Sequence, residues 1–275
     1  MLHKGISKYT ALALIMLMLL PMAFVQADEP STFLGFVLLD DPAFDLEALV
    51  QTLNEEWGLV LPEENTEKTD DILVTTINGI TVFVAFLDFP IPDQEAEHNA
   101  QTNFLWPDAV SVAETHKAHV VIGVTDQEKN VLDAGALFVK ISAACLQQPN
   151  AMAIYTLGTV FSADFYIETA QVSRNRGEFP VYNLVFIGLY SSDQGETISG
   201  YTYGLGALGR QEIEILNSSQ ESMDVMELLY DIASYVLNGA MLQSGETLGY
   251  TAEQKLLITE SPGVGVEGMT LKIGF

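Results

Sequence analysis

Two strand-sized runs joined by Asn78-Gly79 constrain this chain more than any other feature of it. Ile72–Ile77 and Ile80–Leu87 are rich in β-branched and aromatic residues, and Asn-Gly supplies the two positive-φ positions of a tight hairpin turn. The hairpin commits the chain to a sheet. Around it the hydrophobic periodicity switches between strand and helix throughout.

Phe33–Leu39 reads as a buried strand. Asp45 then has the chemistry of an N-cap, with Phe44 and Leu49 at the staple positions. The helix it opens carries Leu46, Leu49, Val50 and Leu53 on one side and stops at Gly58. After the hairpin, helices are expected over Asp93–Phe104 and from Pro107 to Lys117, then a strand over His119–Thr125 and a helix over Val131–Gln147. The order β-α-β-β-α-β is that of a split βαβ, or ferredoxin-like, unit.

The second half repeats the theme. Strands are expected at Ala151–Tyr155, Val181–Tyr190, Ile198–Tyr203, Glu212–Leu216, Leu256–Thr259 and Met269–Phe275, with a polar turn over Asp193–Glu196. Ser162 can cap a helix, with Phe161 and Tyr166 as its staple, and Ser218 with Glu221 spells a capping box for a helix to Leu237. Val225, Leu229, Ile232 and Val236 form that helix's apolar stripe. The expectation is an α+β fold of two pseudo-repeated ferredoxin-like halves, 31–148 and 149–275, packed as one domain over 28–275. The junction at Gln148-Pro149 is too short for an independent linker.

Residues 1–27 read as a signal peptide. Lys4 and Lys8 make a positive start, Ala11–Val25 is almost wholly apolar, and Val25-Gln26-Ala27 ends on the small residue that signal peptidase reads. The apolar run is shorter than the roughly 20 residues of a spanning helix, and later apolar stretches are strand-sized. The expectation is an exported protein, periplasmic or secreted, with no stable membrane span once the leader is removed.

The chain carries 11 Lys and Arg against 37 Asp and Glu, a formal charge of −26. Removing a leader with two lysines and no acids leaves the remainder more acidic still. Such a surface repels nucleic acid and anionic lipid, so neither is an expected partner. It suits cationic partners, and it also serves solubility alone. Cys145 is the one cysteine, which excludes an internal disulfide. It shares a helical face with Leu137, Phe138 and Ile141, and so reads as a small core residue rather than a nucleophile.

Chemical motifs are sparse. His116 and His119, with Glu95 and Glu97 upstream, contain ligand types that zinc accepts, but one histidine ends a helix and the other begins a strand. No metal is therefore expected, and any that bound would use His116 and His119. Glu95 and Glu97 are two apart on a helix and point away from each other, which argues against a carboxylate dyad. Residues 204–209 spell G-x-G-x-x-G, but the segment after them alternates like a strand, so the loop reads as a tight connection and no nucleotide cofactor is expected. Tyr201 and Tyr203 lie on one strand face and, with Trp106, Glu95 and Glu97, could line a cleft for a small polar ligand or a peptide.

Several phrases occur in a telling order: Pro90-Ile91-Pro92, Glu95-Ala96-Glu97, Trp106-Pro107 and His116-Lys117-Ala118-His119, then TLGTVF at 156–161, SGYTYGL at 199–205, EIEI at 212–215 and GMTLKI at 268–273. The set resembles a bacterial family known as domain of unknown function 4261, over Phe33 to Phe275. The resemblance implies a shared fold and a bacterial source. It brings no catalytic role, because the family has no assigned activity. The functional expectation is a non-enzymatic binding or interaction module for a protein or small-molecule ligand. The alternative is a metal-assisted hydrolase using the Glu95, Glu97, His116 and His119 region.

Overall fold

The computed structural model describes residues 31–126, 130–192, 195–249 and 255–275. The signal-peptide reading of 1–27 lies outside them, as does part of the turn expected at 193–196. In chain order the strands are β1 Ser31–Leu39, β2 Thr66–Lys68, β3 Ile72–Ile77, β4 Ile80–Leu87, β5 Ala118–Asp126, β6 Ala151–Thr156, β7 Thr159–Ser162, β8 Phe186–Ser192, β9 Thr197–Tyr203, β10 Ile213–Ser218, β11 Thr247–Gly249, β12 Lys255–Pro262 and β13 Met269–Ile273. The helices are α1 Leu46–Glu55, α2 Glu95–Ala100, α3 Ala109–Ala113, α4 Val131–Leu146, α5 Ala163–Arg176, α6 Val181–Leu184 and α7 Ser222–Leu237.

The fold is mixed α+β, built on two sheets. The first runs β2-β3-β4-β5-β1-β6-β7 and the second β11-β12-β13-β10-β9-β8. Every pairing in the first sheet is antiparallel, while β10 and β13 pair in parallel in the second. This order does not reproduce two ferredoxin-like halves. β5 pairs with both β4 and β1, and β1 then pairs with β6 from beyond the expected 148/149 boundary. The hydrophobic runs specify that strands exist; which edges meet is set by the shared core.

Local chemistry explains most of the elements. Asn78 and Gly79 take φ of 51° and 84°, and β3 pairs with β4 in register from Ile77↔Ile80 to Ile72↔Ala85. Asp45 accepts from the N–H groups of Glu47 and Ala48, which satisfies two of the free donors at the start of α1. Ser162 caps α5 through the Phe165 N–H, and the Phe161 and Tyr166 rings of its staple lie 6.2 Å apart. In α7, Val225, Leu229, Ile232 and Val236 are buried while Asp224, Glu227 and Asp231 are exposed. Truncating one such residue, Leu229→Ala, would cost about 2–5 kcal/mol.

Three expectations need correction. Val181–Leu184 is a helical turn and the strand begins only at Phe186; a short apolar run has no period that separates the two states. Helix in the 93–117 region is confined to α2 and α3, because Asp93 and Gln94 take positive φ of 58° and 57° at its start. The Ser218–Glu221 box does not form: Glu221 is the N-cap residue of α7, without a side-chain cap bond, and Ser218 Oγ accepts from the Gln220 N–H. TLGTVF, to which the sequence assigned no element, forms the turn of a hairpin, with Leu157 and Gly158 at φ of 53° and 65° between β6 and β7.

One continuous apolar core joins the two sheets. α1 and α4 cover one face of the first sheet, packing Leu46, Leu49, Leu53, Phe138 and Ile141 against Val37, Val82, Val120 and Ile122. A smaller cluster on its other face sets Ala96, Ala100, Ala109 and Ala113 of α2 and α3 against Leu38, Ala153 and Val160. α7 covers one face of the second sheet, where Gly200 gives way to Val225 and Leu229. The opposite face carries Tyr190, Tyr201, Glu214 and Lys272.

Candidate functional site

His116 is fully employed by the fold, and His119 is held by it through one ring nitrogen. His116 is buried; its Nε2 accepts from the Ile91 N–H at 2.8 Å and its Nδ1–H donates to the Ala113 carbonyl at 2.5 Å. Both ring nitrogens are thereby used, which leaves none for a metal. Glu97 approaches that ring, Oε1 standing 3.8 Å from Nδ1. His119 is also buried, donates from Nδ1 to the Phe89 carbonyl at 2.8 Å, and meets the Phe89 ring edge-on. Burial lowers its pKa to about 4, against the raising effect of the Phe89 bond and with a smaller lowering from His116. Among the described residues no three His, Cys, Asp or Glu side chains gather as a metal site.

Glu95 and Glu97 diverge, as their spacing requires. Glu97 turns toward His116, whereas Glu95 accepts from the Tyr155 hydroxyl at 2.8 Å. Tyr155 stacks on Phe36, and burial, then the Glu95 bond, raises its pKa, with a further contribution from Tyr203. Tyr201 lies on β9 of the second sheet, its ring 6.4 Å from that of Tyr190. The one feature of the sequence that marks Tyr155 is its place at the end of the strand before TLGTVF.

Trp106 belongs to a different arrangement. β7 ends the first sheet and β8 ends the second, and the rings of Phe161 and Phe186 meet edge-on across the gap at 6.2 Å. Between them opens a cleft of about 120 Å³ lined by Trp106, Leu105, Phe161, Phe165, Phe186 and Tyr230. Leu105 is 50% exposed at its mouth. Asn103 fixes the wall, donating to the Val160 carbonyl at 2.9 Å and accepting from the Leu105 N–H at 3.1 Å. Residues beside the lining in sequence are acidic and exposed: Asp108, Asp164, Glu227 and Asp231. The sequence pointed to Trp106 alone among these, because the others come together only when the two sheets do.

The two glycine-rich loops are occupied from within. Glu212 Oε1 accepts from the N–H groups of Gly204 and Gly206, both at 2.9 Å, and its Oε2 from Thr202 at 2.6 Å. A carboxylate of the chain thus fills the place where a phosphate would sit in a nucleotide loop. Glu214, fully buried, accepts from Val264 and Gly265 N–H groups, from Thr270 and from Lys272. EIEI therefore supplies two anchors, one for each loop.

This anchored unit is where the chain meets a known family. Residues 201–274 match the model of a domain of unknown function, DUF4261. The match runs from the end of β9 through β13 with α7, and so contains both glutamates, both loops and Lys272. It bears out the resemblance over that segment. No curated protein and no solved structure matches the chain. Within that segment, the two glutamates with shifted pKa values, Glu212 and Glu214, bind the chain's own backbone. Cys145, outside it, is buried in the core with its thiol pKa raised by desolvation, unlike an activated nucleophile.

Proposed function

We propose that this chain is an exported, non-enzymatic binding module, periplasmic or secreted, that takes an apolar side chain of a basic protein segment into the Trp106 cleft. The observation that carries the reading is the contrast between spent chemistry and open apolar surface. The rings of His116 and the carboxylates of Glu212 and Glu214 are committed to internal partners, while Trp106 and Leu105 border an open cleft. A volume of about 120 Å³ is below the roughly 300 Å³ at which small-molecule sites begin, and near the roughly 150 Å³ that holds one benzene. It suits one side chain of a larger partner. The acidic residues beside the lining, and the formal charge of −26, favour Lys and Arg next to that side chain.

Trp57 and Trp106 are the two tryptophans of the chain. In a Trp57→Phe background, indole fluorescence reports on Trp106 alone. An array of short peptides with Leu, Phe or Trp flanked by lysines, against the same peptides flanked by glutamates, tests the reading. Saturable, salt-sensitive responses to the lysine set, lost in Leu105→Asp, are expected. Equal responses to both sets, or none, would end it. N-terminal sequencing of material recovered outside the cytoplasm tests export separately, and retention of Met1 would count against it.

A further inference from the structure

A second opening lies on the far side of α5. α4 presents Ala136, Val139 and Lys140 at helical spacing, and α5 presents Ala170, Ser173 and Arg174 opposite them. Small residues on both helices keep the groove open, and Trp57 closes one end, giving a cleft of about 260 Å³. Arg174 lies over the Trp57 ring, its Cζ 4.8 Å from the centroid. One of its terminal nitrogens donates to the Glu56 carbonyl and the other to Asn175 Oδ1 at 3.3 Å. The neighbouring Glu56 carboxylate is held by Gln147 at 2.5 Å, and Gln147 in turn accepts from the Trp57 indole at 2.9 Å.

The charges are the unexpected part. In a chain with 37 acids and 11 cations, a cation has every opportunity to find a carboxylate. Among the described residues Arg174 is ion-paired with none, and half-buried Lys140 has neither a hydrogen bond nor an ion pair. The dipole at the C-terminal end of α5 accounts for Arg174 and Arg176. It does not account for Lys140, which sits in the middle of α4. Glu178 is the one acid lining the cleft, and it leans to Arg176 at 3.9 Å.

We propose that this cleft binds a small monocarboxylate with an apolar body. The carboxylate sits between Lys140 Nζ and the Arg174 guanidinium, and the body lies on Ala136, Val139 and Ala170, beside the edge of Trp57. The volume falls between that of a benzene-sized cavity and that of a drug-sized site, which matches an acid with a ring or a short chain. An anion without an apolar body leaves the floor of the cleft unfilled.

The test uses the full chain carrying Trp106→Phe, so that fluorescence comes from Trp57, with titration calorimetry alongside. The probes are phenylacetate, hexanoate, the neutral phenylacetamide and inorganic phosphate. Phenylacetate and hexanoate should bind saturably and change Trp57 emission, with phenylacetamide and phosphate at least about tenfold weaker. Lys140→Gln should weaken phenylacetate by about tenfold or more, and Lys140→Arg should retain it. Arg174→Gln provides a second, more exposed variant with the same expected loss. The proposal is overturned if phenylacetate binds no better than phenylacetamide, if phosphate equals it, or if Lys140→Gln and Arg174→Gln both leave it unchanged.

Discussion

Lys272 Nζ stands 2.5 Å from Oε2 of Glu214, with the carboxylate fully buried and the lysine side chain 11% exposed. The pair ties β13 to β10 at the register Glu214↔Lys272, and the same carboxylate holds the loop that follows β12 through Val264 and Gly265. Removing only the lysine would leave a buried charge without its counter-ion, at a cost of about 3–5 kcal/mol. Lys272→Met should therefore lower the urea midpoint markedly. Glu214→Gln with Lys272→Met should recover part of the loss, because the amide oxygen still accepts from the loop while the charge is gone. A double variant as unstable as the single one would mean that the loss does not come from the unpaired charge of Glu214.

Glu212 and Glu214 should oppose each other as pH changes. Burial raises the pKa of Glu212 despite its bonds from Thr202 and the Gly204–Gly206 loop. For Glu214 burial acts in the same direction, but Lys272, Gly265, Thr270 and Val264 outweigh it, and the pKa is lowered. A lowered folded-state pKa means that Glu214 contributes stability above its ordinary value of 4.5 and loses it as pH falls through the folded value. The raised pKa of Glu212 gives the reverse: its contribution is present below 4.5 and declines as pH rises through the folded value. Urea midpoints between pH 3 and pH 8, set roughly to bracket both carboxyls, should show Glu214→Gln less sensitive to acid than the parent. Glu212→Gln should be more sensitive to it. Parallel curves for all three proteins would contradict both assignments.

His119 adds a second acid-sensitive group in a higher pH window. Its pKa falls from 6.5 to about 4 on folding, so the unfolded chain binds the proton more readily. Its contribution is complete above pH 6.5 and is lost as pH falls toward 4, by up to about 3 kcal/mol. In His119→Asn, the amide can still donate to the Phe89 carbonyl but cannot titrate. That variant should keep a nearly constant melting temperature between pH 7 and pH 5, where the parent loses several degrees. An NMR titration placing the His119 midpoint near 6.5 would refute this.

The parts legible in the sequence are those decided within a few residues. The turn at Asn78-Gly79, the caps at Asp45 and Ser162 and the stripe of α7 each depend on neighbours in the chain, and each forms as expected. What was not legible depends on distant partners. Glu212 and Glu214 were visible only as a repeated phrase, since their loops lie both before and after them in sequence. His116 and His119 looked like ligands because the backbone groups that occupy them, at Ile91 and Phe89, are some 25–30 residues upstream. Trp106 was visible as an aromatic, but its cleft exists only where β7 and β8, terminal strands of separate sheets, come together.

The position of Tyr201 depends on two glycines. A Cβ placed on Gly188, its cross-strand partner, would lie 2.1 Å from Tyr201 Cζ, and one on Gly265 would lie 2.5 Å from Cδ1. The ring thus lies between β8 and the loop that Glu214 anchors. Neither glycine has the positive φ that would strain a side chain, so the effect of a substitution is steric alone. Gly188→Ala forces the ring to move, and overpacking of this kind costs about 1–3 kcal/mol. Tyr201→Ser removes the ring and its packing, but it also removes the clash. In the Tyr201→Ser background, Gly188→Ala should therefore cost far less than in the parent, and a double-mutant cycle by urea denaturation measures the difference. If Gly188→Ala costs the same in both backgrounds, Tyr201 does not occupy the space above Gly188.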